Sequence, residues 1–271
     1  MVRCGVVVTM LVSVLASAPG AVRAQLAPPG DPLAYVVFGL EVVSLGARAT
    51  VGGALGANDG EVRVRRRTRV DGVVAADTIR LGRAATVDAV FCTLVIGGRT
   101  DGCLALAGPP VPATALGVVQ ATPGPGDVSV PRRAQRVPLP AGVYRRLRVG
   151  RGSVLTLAGG DYAVESIRLG RDAALRCAAP CRVGVRRALR LGTRAGIEAA
   201  EGVAAAGVRL DVQGDAVATG VRAGARARVQ GIVYAPTSRL RFGRGLLLEG
   251  HLVGRRVEIG ARARLAPAAS P

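Results

Sequence analysis

The chain has 271 residues, and removing an exported-looking leader of 24 leaves 247, enough for one large domain or two small ones with a sizeable buried core. Its 37 basic residues are all arginine, tryptophan is absent, and there is one histidine, His251, and one asparagine, Asn58. Those counts exclude a Walker-type phosphate loop and a Schiff-base lysine, both of which need lysine, and a three-histidine zinc site. Hydrophobic residues reach 49% while aromatics stop at 3%, so the core must be built from Ala, Val and Leu. The net charge of +19 becomes +17 once Arg3 and Arg23 leave with the leader. A balance of that size attracts polyanions, although a bias toward residues with GC-rich codons also produces it. The arginines are spread along the chain without interleaved aromatics, which argues against sequence-specific nucleic-acid recognition.

Residues 1–24 read as a secretory signal peptide: Arg3 opens it, Gly5 to Ala18 is its apolar run, and Val22-Arg23-Ala24 offers a cleavage site before Gln25. The run falls short of the roughly 20 residues a membrane span requires, and no later segment is long and apolar enough. The expectation is an exported protein of the periplasm, the cell surface or the medium, with no membrane span after cleavage. Cys4 leaves with the leader. Four cysteines remain, Cys92, Cys103, Cys177 and Cys181, and an even number in an oxidising compartment favours disulfides over metal. Of three pairings, loop closure favours the local one, Cys92 with Cys103 and Cys177 with Cys181. A zinc site at Cys177-Ala-Ala-Pro-Cys181 would have to find its other ligands far away in sequence.

The organising signal is an internal repeat: apolar, Gly, two variable residues, a small residue, one variable residue, apolar. It stands at Leu45-Gly46-Ala47-Arg48-Ala49-Thr50-Val51, at Leu81 to Val87 and at Ile259 to Leu265, with looser copies starting at Val64, Val149, Leu169, Leu191, Ala223 and Phe242. Within each of two blocks most consecutive starts lie 17 to 22 residues apart, with one gap of 32 in the second. Turns of that length leave no room for helices and predict an all-β fold, a single-stranded parallel β-helix or β-solenoid. The six-residue beat of Leu191, Ile197 and Val203 favours a left-handed coil, whereas the uneven turns favour a right-handed one, which is the choice made here. Glycine after the first apolar residue is expected to serve a tight corner with positive φ, with arginines outside it. The blocks are 35–106 and 139–266, joined by a Pro-rich loop or linker over 107–138 that contains Gly108-Pro109-Pro110 and Pro123-Gly124-Pro125-Gly126.

The second block resembles an uncharacterised bacterial β-solenoid family of exported surface and pilus-accessory proteins. The resemblance is carried by Leu139-Pro140-Ala141-Gly142-Val143-Tyr144, Gly159-Gly160-Asp161-Tyr162, Gly231-Ile232-Val233-Tyr234-Ala235-Pro236 and Gly250-His251-Leu252-Val253-Gly254. It implies a β-helical rod of the envelope and brings no catalytic residues. The turns are also similar to those of bactofilins, end-to-end polymers that lack a signal peptide.

No catalytic, cofactor-binding or metal-ligating set emerges, and no cofactor is expected. Asp211 and Asp215 form the closest acidic pair, best explained as solvated corner residues. His251 fits an ordinary half-buried position better than a general base. Thr50, Thr68 and Thr86 recur every 18 residues, which would align them as a short ladder. The resulting expectation is a non-enzymatic structural or adhesive rod, with self-association through open ends. The alternatives are a binding module for acidic polymers such as exopolysaccharide or extracellular DNA, and a carbohydrate-active enzyme on the same scaffold.

Overall fold

The computed structural model describes residues 30–98, 102–106, 108–214 and 219–268. The leader and Asp215 lie outside them. Among the described residues the fold is all-β, a β-solenoid of about 11 turns. The first block contains β1 (Tyr35–Leu45), β2 (Thr50–Val51), β3 (Ala54–Ala57), β4 (Glu61–Val64), β5 (Arg69–Ala75), β6 (Thr78–Leu81), β7 (Thr86–Phe91) and β8 (Leu94–Ile96). The second contains β9 (Asp127–Val130), β10 (Gln135–Leu139), β11 (Gly142–Val149), β12 (Val154–Leu157), β13 (Gly160–Leu169), β14 (Ala174–Cys177) and β15 (Cys181–Leu191). It continues with β16 (Gly196–Ala199), β17 (Val208–Val212), β18 (Thr219–Ala223), β19 (Arg228–Phe242), β20 (Leu247–Ile259) and β21 (Arg264–Ala266).

Alternation of apolar and polar residues makes these segments strands rather than helices, and stacking buries their inner face. In β11, Leu147 and Val149 are buried on either side of exposed Arg148, and β6 repeats this as Ile79, Arg80 and Leu81. Parallel pairing sets equivalent residues one above another. One inward row runs Val128, Leu147, Ile167, Leu189, Val221, Leu240, Val257, and then continues as Val43, Val62, Ile79 and Val95. The shaft is filled mainly by Val, Leu, Ile and Ala, with Tyr162 and Phe242 among them. The longest turn, between Leu189 and Val221, accommodates a short 3-10 helix at Ala205–Gly207.

The corners correct the expectation about glycine. The repeat glycines Gly46, Gly82, Gly150, Gly170, Gly192, Gly224, Gly243 and Gly260 do not have positive φ. The left-handed residue comes two positions later and is usually arginine: Arg48, Arg67, Arg133, Arg194, Arg226 and Arg262, with φ of 54 to 59°. The glycines are required because adjacent turns touch there. A Cβ on Gly46 would lie 2.3 Å from the Ala261 nitrogen, and one on Gly192 would lie 2.6 Å from the Gly170 carbonyl carbon. Each glycine N–H donates to a carbonyl of the neighbouring turn at 2.7 to 2.9 Å, and Arg65, which stands in this row, donates at 3.2 Å. Pro131 occupies the row at the β9 end of the rod and has no N–H to leave unpaired there.

Chain order and spatial order differ. β1 lies against β20, with Val37 to Gly39 opposite Leu252 to Gly254 and Val42 to Leu45 opposite Arg256 to Ile259, and β2 lies against β21. The first block therefore stacks on the last turn of the second, and one parallel sheet runs through both. The Pro-rich segment connects the far end of the first block back to the beginning of the second. β9 and most of β10, which fall within 107–138, already belong to the coil. The segment lies along one flank as a strap, held by Asn58, whose Nδ2 donates to the Val111 carbonyl at 2.7 Å while its Oδ1 accepts from the Val111 N–H at 2.9 Å. Further along, the Tyr234 hydroxyl donates to the Gly117 carbonyl at 3.2 Å. Beneath the strap Phe38, Phe91, Tyr234, Val253 and Val111 form a second apolar cluster outside the shaft.

At the junction Glu41 accepts from Arg255 Nε at 2.5 Å and Arg256 Nε at 2.6 Å, and His251 Nδ1 donates to the Tyr35 carbonyl at 2.9 Å. The hydrogen bonds from Arg256 and then Arg255 hold the Glu41 carboxyl below the usual carboxylate range. A carboxylate with a depressed folded-state pKa stabilises the fold above its unfolded value of about 4.3, and that contribution is lost as pH falls through the folded value. Glu41→Gln should therefore lower stability at neutral pH by up to about 1 kcal/mol, with the deficit vanishing in acid, as read by urea unfolding across pH. Asn58→Ala leaves both Val111 backbone groups buried and unpaired, and should cost about 2–3 kcal/mol in the same measurement.

Candidate polyanion-binding surface

The coil has three flanks, and the strap covers one. On the flank that precedes the glycine corners, outward residues stack in a row: Ser129, Arg148, Arg168, Arg190, Arg222, Arg241, Glu258, Ser44, Arg63, Arg80 and Ile96. Five consecutive rungs are arginine. Neighbouring rungs are about 4.8 Å apart, so each adjacent pair of like charges repels by about 1 kcal/mol even in water. Like charges directly opposite one another destabilise a sheet.

Elsewhere the structure relieves such contacts with acids. Glu61 pairs with Arg63 and Arg80, Glu258 with Arg239 and Arg241, and Glu165 with Arg146 and Arg187. Asp172 takes Arg194 at 2.5 and 2.9 Å, and Asp127 takes Arg145 through two bonds of 2.8 Å. In both cases the arginine hydrogen bond is the main cause that keeps the carboxyl below its ordinary pKa. Arg148, Arg168, Arg190 and Arg222 form no ion pair with an acid among the described residues, although the Arg148 charge is one of those that hold the Asp127 carboxyl below its ordinary range, and Arg241 reaches Glu258 only at 3.7 Å. Arg148, Arg168 and Arg222 are exposed and Arg190 is half-buried.

Two shallow clefts run beside this row over the glycine corners. One, of about 460 Å³, is lined by Arg132, Arg148, Gly150, Arg168 and Gly170, among others. The next, of about 510 Å³, is lined by Arg168, Gly170, Arg171, Arg190, Gly192 and Arg222. They share Arg168 and Gly170, so together they form a trough with a glycine floor and arginine walls. The guanidinium forks present paired N–H donors to carboxylate or phosphate.

The residues singled out in the sequence are placed as follows. Asp211 is not a solvated corner residue: it is buried in β17 and held by Arg182 Nε at 2.6 Å and Arg209 Nε at 2.8 Å, with Arg209 lying over the Tyr234 ring. Its proposed companion Asp215 lies outside the described residues. His251 has one ring nitrogen occupied by a backbone carbonyl at the junction. The threonine ladder does not form. Thr50 and Thr86 face Arg69 from either side, whereas Thr68 belongs to the buried row of small residues and donates to the Gly46 carbonyl at 3.0 Å. The turns are 19 and 17 residues long, so an 18-residue spacing slips by one position and reverses the side chain's direction. Cys92 is bonded to Cys103 and Cys177 to Cys181, the local pairing.

A third cleft, of about 840 Å³ on the remaining free flank, contains Glu198, Gln230 and Glu249 on successive rungs. Both carboxylates are engaged, Glu198 by Arg176 at 3.1 Å and Glu249 by Gln230 at 3.0 Å. No group of three or more His, Cys, Asp or Glu positioned to hold a metal occurs among the described residues. No helix among them is long and apolar enough to cross a membrane.

The arginine row went unnoticed in the sequence although its signal is there. Arginine immediately precedes the first apolar residue in seven of the nine repeat copies, as in Arg148-Val149-Gly150 and Arg190-Leu191-Gly192. The residues inside the repeat drew attention, and the position just outside it carries the charge.

No protein-family model matches the chain, and neither does any curated protein. Among solved structures the chain is similar to a crystal structure of an ice binding protein from an Antarctic Biological Consortium, at 12% identity and a TM-score of 0.40, over 97% of this chain and 96% of that one. At that level of likeness no residue role passes from one to the other.

The unrelieved repulsion in the row is itself measurable. Arg190→Ser should raise thermal stability by about 1 kcal/mol at low ionic strength, and the gain should shrink as added salt screens the row. Serine is already present in this row at Ser129 and Ser44.

Proposed function

We propose that this chain is an exported, non-catalytic adhesive rod that holds acidic polymers of the cell envelope or surroundings along its arginine row. The observation that carries this reading is the run of four arginines stacked on consecutive rungs without an ion pair. Arg255 and Arg256 at the junction and Arg63 and Arg80 in the first block share acids across turns, whereas Arg148, Arg168, Arg190 and Arg222 stand stacked on consecutive rungs without an ion pair. The rigid scaffold supports the same reading, because rungs fixed by backbone bonds present the charges already ordered, so little side-chain placement remains to be organised on binding.

Export is supported by the leader and by two disulfides, which persist in oxidising compartments. An adhesive role is preferred over a catalytic one because most of the paired acids are distributed around the rod and tied to arginines, and the two carboxylates that share a cleft, Glu198 and Glu249, are already held by Arg176 and Gln230.

The test uses the full chain without its leader and a heparin-like polyanion. Binding should weaken steeply as salt rises, since each neutralised anionic group releases counterions. Replacing Arg148, Arg168 and Arg190 together by serine should flatten the dependence of log affinity on log salt by about one per arginine removed, while thermal unfolding stays cooperative. Absence of binding by the parent protein at low salt would overturn the proposal.

A further inference from the structure

We infer that the chain pairs with a second copy of itself through one end of the rod only, with β8 lying edge to edge against β8 of the other copy in antiparallel order. The contact is independent of polyanion binding by the arginine row.

The last rung breaks the pattern of the coil. In β4 and β6 the outward positions are polar, Glu61 and Arg63, then Thr78 and Arg80, on either side of buried Val62 and Ile79. The same two rows end at Leu94 and Ile96 of β8, which are 51% and 40% exposed on either side of half-buried Val95. Leu104, also exposed, stands at this end in a bridge to Phe91. Three of the six large apolar side chains exposed among the described residues are therefore gathered on one end of the rod. Natural edge strands are guarded by charge or proline, and β8 contains neither.

The backbone is open at the same place. Among the described residues β8 pairs with β6 alone. The Leu94 N–H is turned toward β6 and donates to the Asp77 carbonyl at 3.0 Å. Successive residues of a strand direct their polar groups to opposite sides, so Val95 turns both its N–H and its C=O to the free edge. Two residues directly opposed in an antiparallel pair exchange two such bonds. A two-fold axis between the two copies of Val95 makes that exchange, and it sets Leu94 of each copy beside Ile96 of the other. The strand is thus its own complement, as an isologous interface requires.

The opposite end of the rod does not fit. Head-to-tail stacking would set β9 of the next copy on β8, with Val128 over Val95 and Asp127 over Leu94. Asp127 is tied to Arg145 through two bonds of 2.8 Å, and covering that pair with leucine strips it of water. The corner bond between turns is lost as well. Each turn donates it toward the β9 end, as Gly150 does to Val130, so the donor at a head-to-tail joint would be Pro131, which has no N–H. Exposed Arg132 and Arg133 follow it. Association therefore stops at two copies. Because the two-fold axis stands perpendicular to the sheet, the flank with the arginine row faces the same way in both copies, and the rows lie toward the two far ends.

The experiment is sedimentation equilibrium of the leaderless chain between about 10 μM and 1 mM, with small-angle scattering alongside. A contact of one short strand belongs to the small class of interfaces, under about 1,200 Å², which associate weakly. Salt of about 0.5 M keeps any polyanion from bridging the arginine rows. The mass should rise with concentration to that of two chains and stop, while the longest dimension grows from about 50 Å to about 100 Å. Leu94→Thr with Ile96→Arg copies the outward pair of β6 onto the last rung and should weaken the dimer at least about tenfold. Val95→Pro, which removes the N–H at the free edge, should do the same. Arg132→Ser, at the opposite end, should leave the dimer unchanged. Unchanged thermal unfolding confirms that each variant is folded. The inference is overturned by a chain that stays monomeric at the highest concentration, by a mass that keeps growing past two chains, by association without lengthening, or by a dimer indifferent to both β8 variants. None of these outcomes bears on polyanion binding, which is read at low salt.

Discussion

The cross-turn backbone hydrogen bond is the constraint on which everything else depends. Each turn donates to the next, from Gly150 to Val130 at one end to Gly82 to Val64 near the other, so the spacing of all side-chain rows is set by the peptide group. A residue type that recurs at one position of the repeat becomes a continuous line on the rod. Valine and leucine recurring inside give the shaft, glycine recurring at the corner permits the close approach, and arginine recurring just before the corner gives a line of charge. The bond is indifferent to chain order. Arg262 donates to Ala47 at 2.9 Å just as Arg226 donates to Arg244 within the second block, and this is how the first block can stack on the end of the second.

That displaced stacking creates the need for the strap. A chain that begins in the middle of its own rod must return from one end to the other, and the return crosses one flank. This gives the few aromatic residues their role: Phe38, Phe91 and Tyr234 point outward from strands, and would be exposed without the covering segment. Asparagine occurs once in the protein, at the point where a side chain with both a donor and an acceptor closes a buried backbone pair on Val111. Asp211 lies on the same flank, and its burial is made tolerable by Arg182 and Arg209. The proline content of the segment fits an extended strap that forms no ladder of its own.

The stacked arginines show how one residue type does different work according to its neighbours. Where an acid falls on a neighbouring rung or in the adjacent row, the guanidinium bridges turns, as Glu41 does with Arg255 and Arg256 across the junction. Where none does, the charges stand bare at a fixed pitch and destabilise the sheet slightly.

The β-solenoid was legible in the sequence because its repeat is local: the spacing of Leu45, Val64 and Leu81 reports turn length directly, and the apolar alternation reports which face is buried. The local disulfides were legible for the same reason. Register across turns was not legible, because one residue reverses a side chain, and that is why Thr68 entered the core while Thr50 and Thr86 stayed outside. The positive φ two residues beyond each glycine was also hidden, since Arg226 and Arg262 carry no glycine-like signature. The sequence by itself determined the coil, its narrow aliphatic shaft and its basic surface, all of which follow from composition and short-range periodicity. Only the tertiary structure decided that the first block sits on the last turn, that the proline segment covers a flank, and which arginines meet an acid, because those depend on contacts between rungs far apart in the chain.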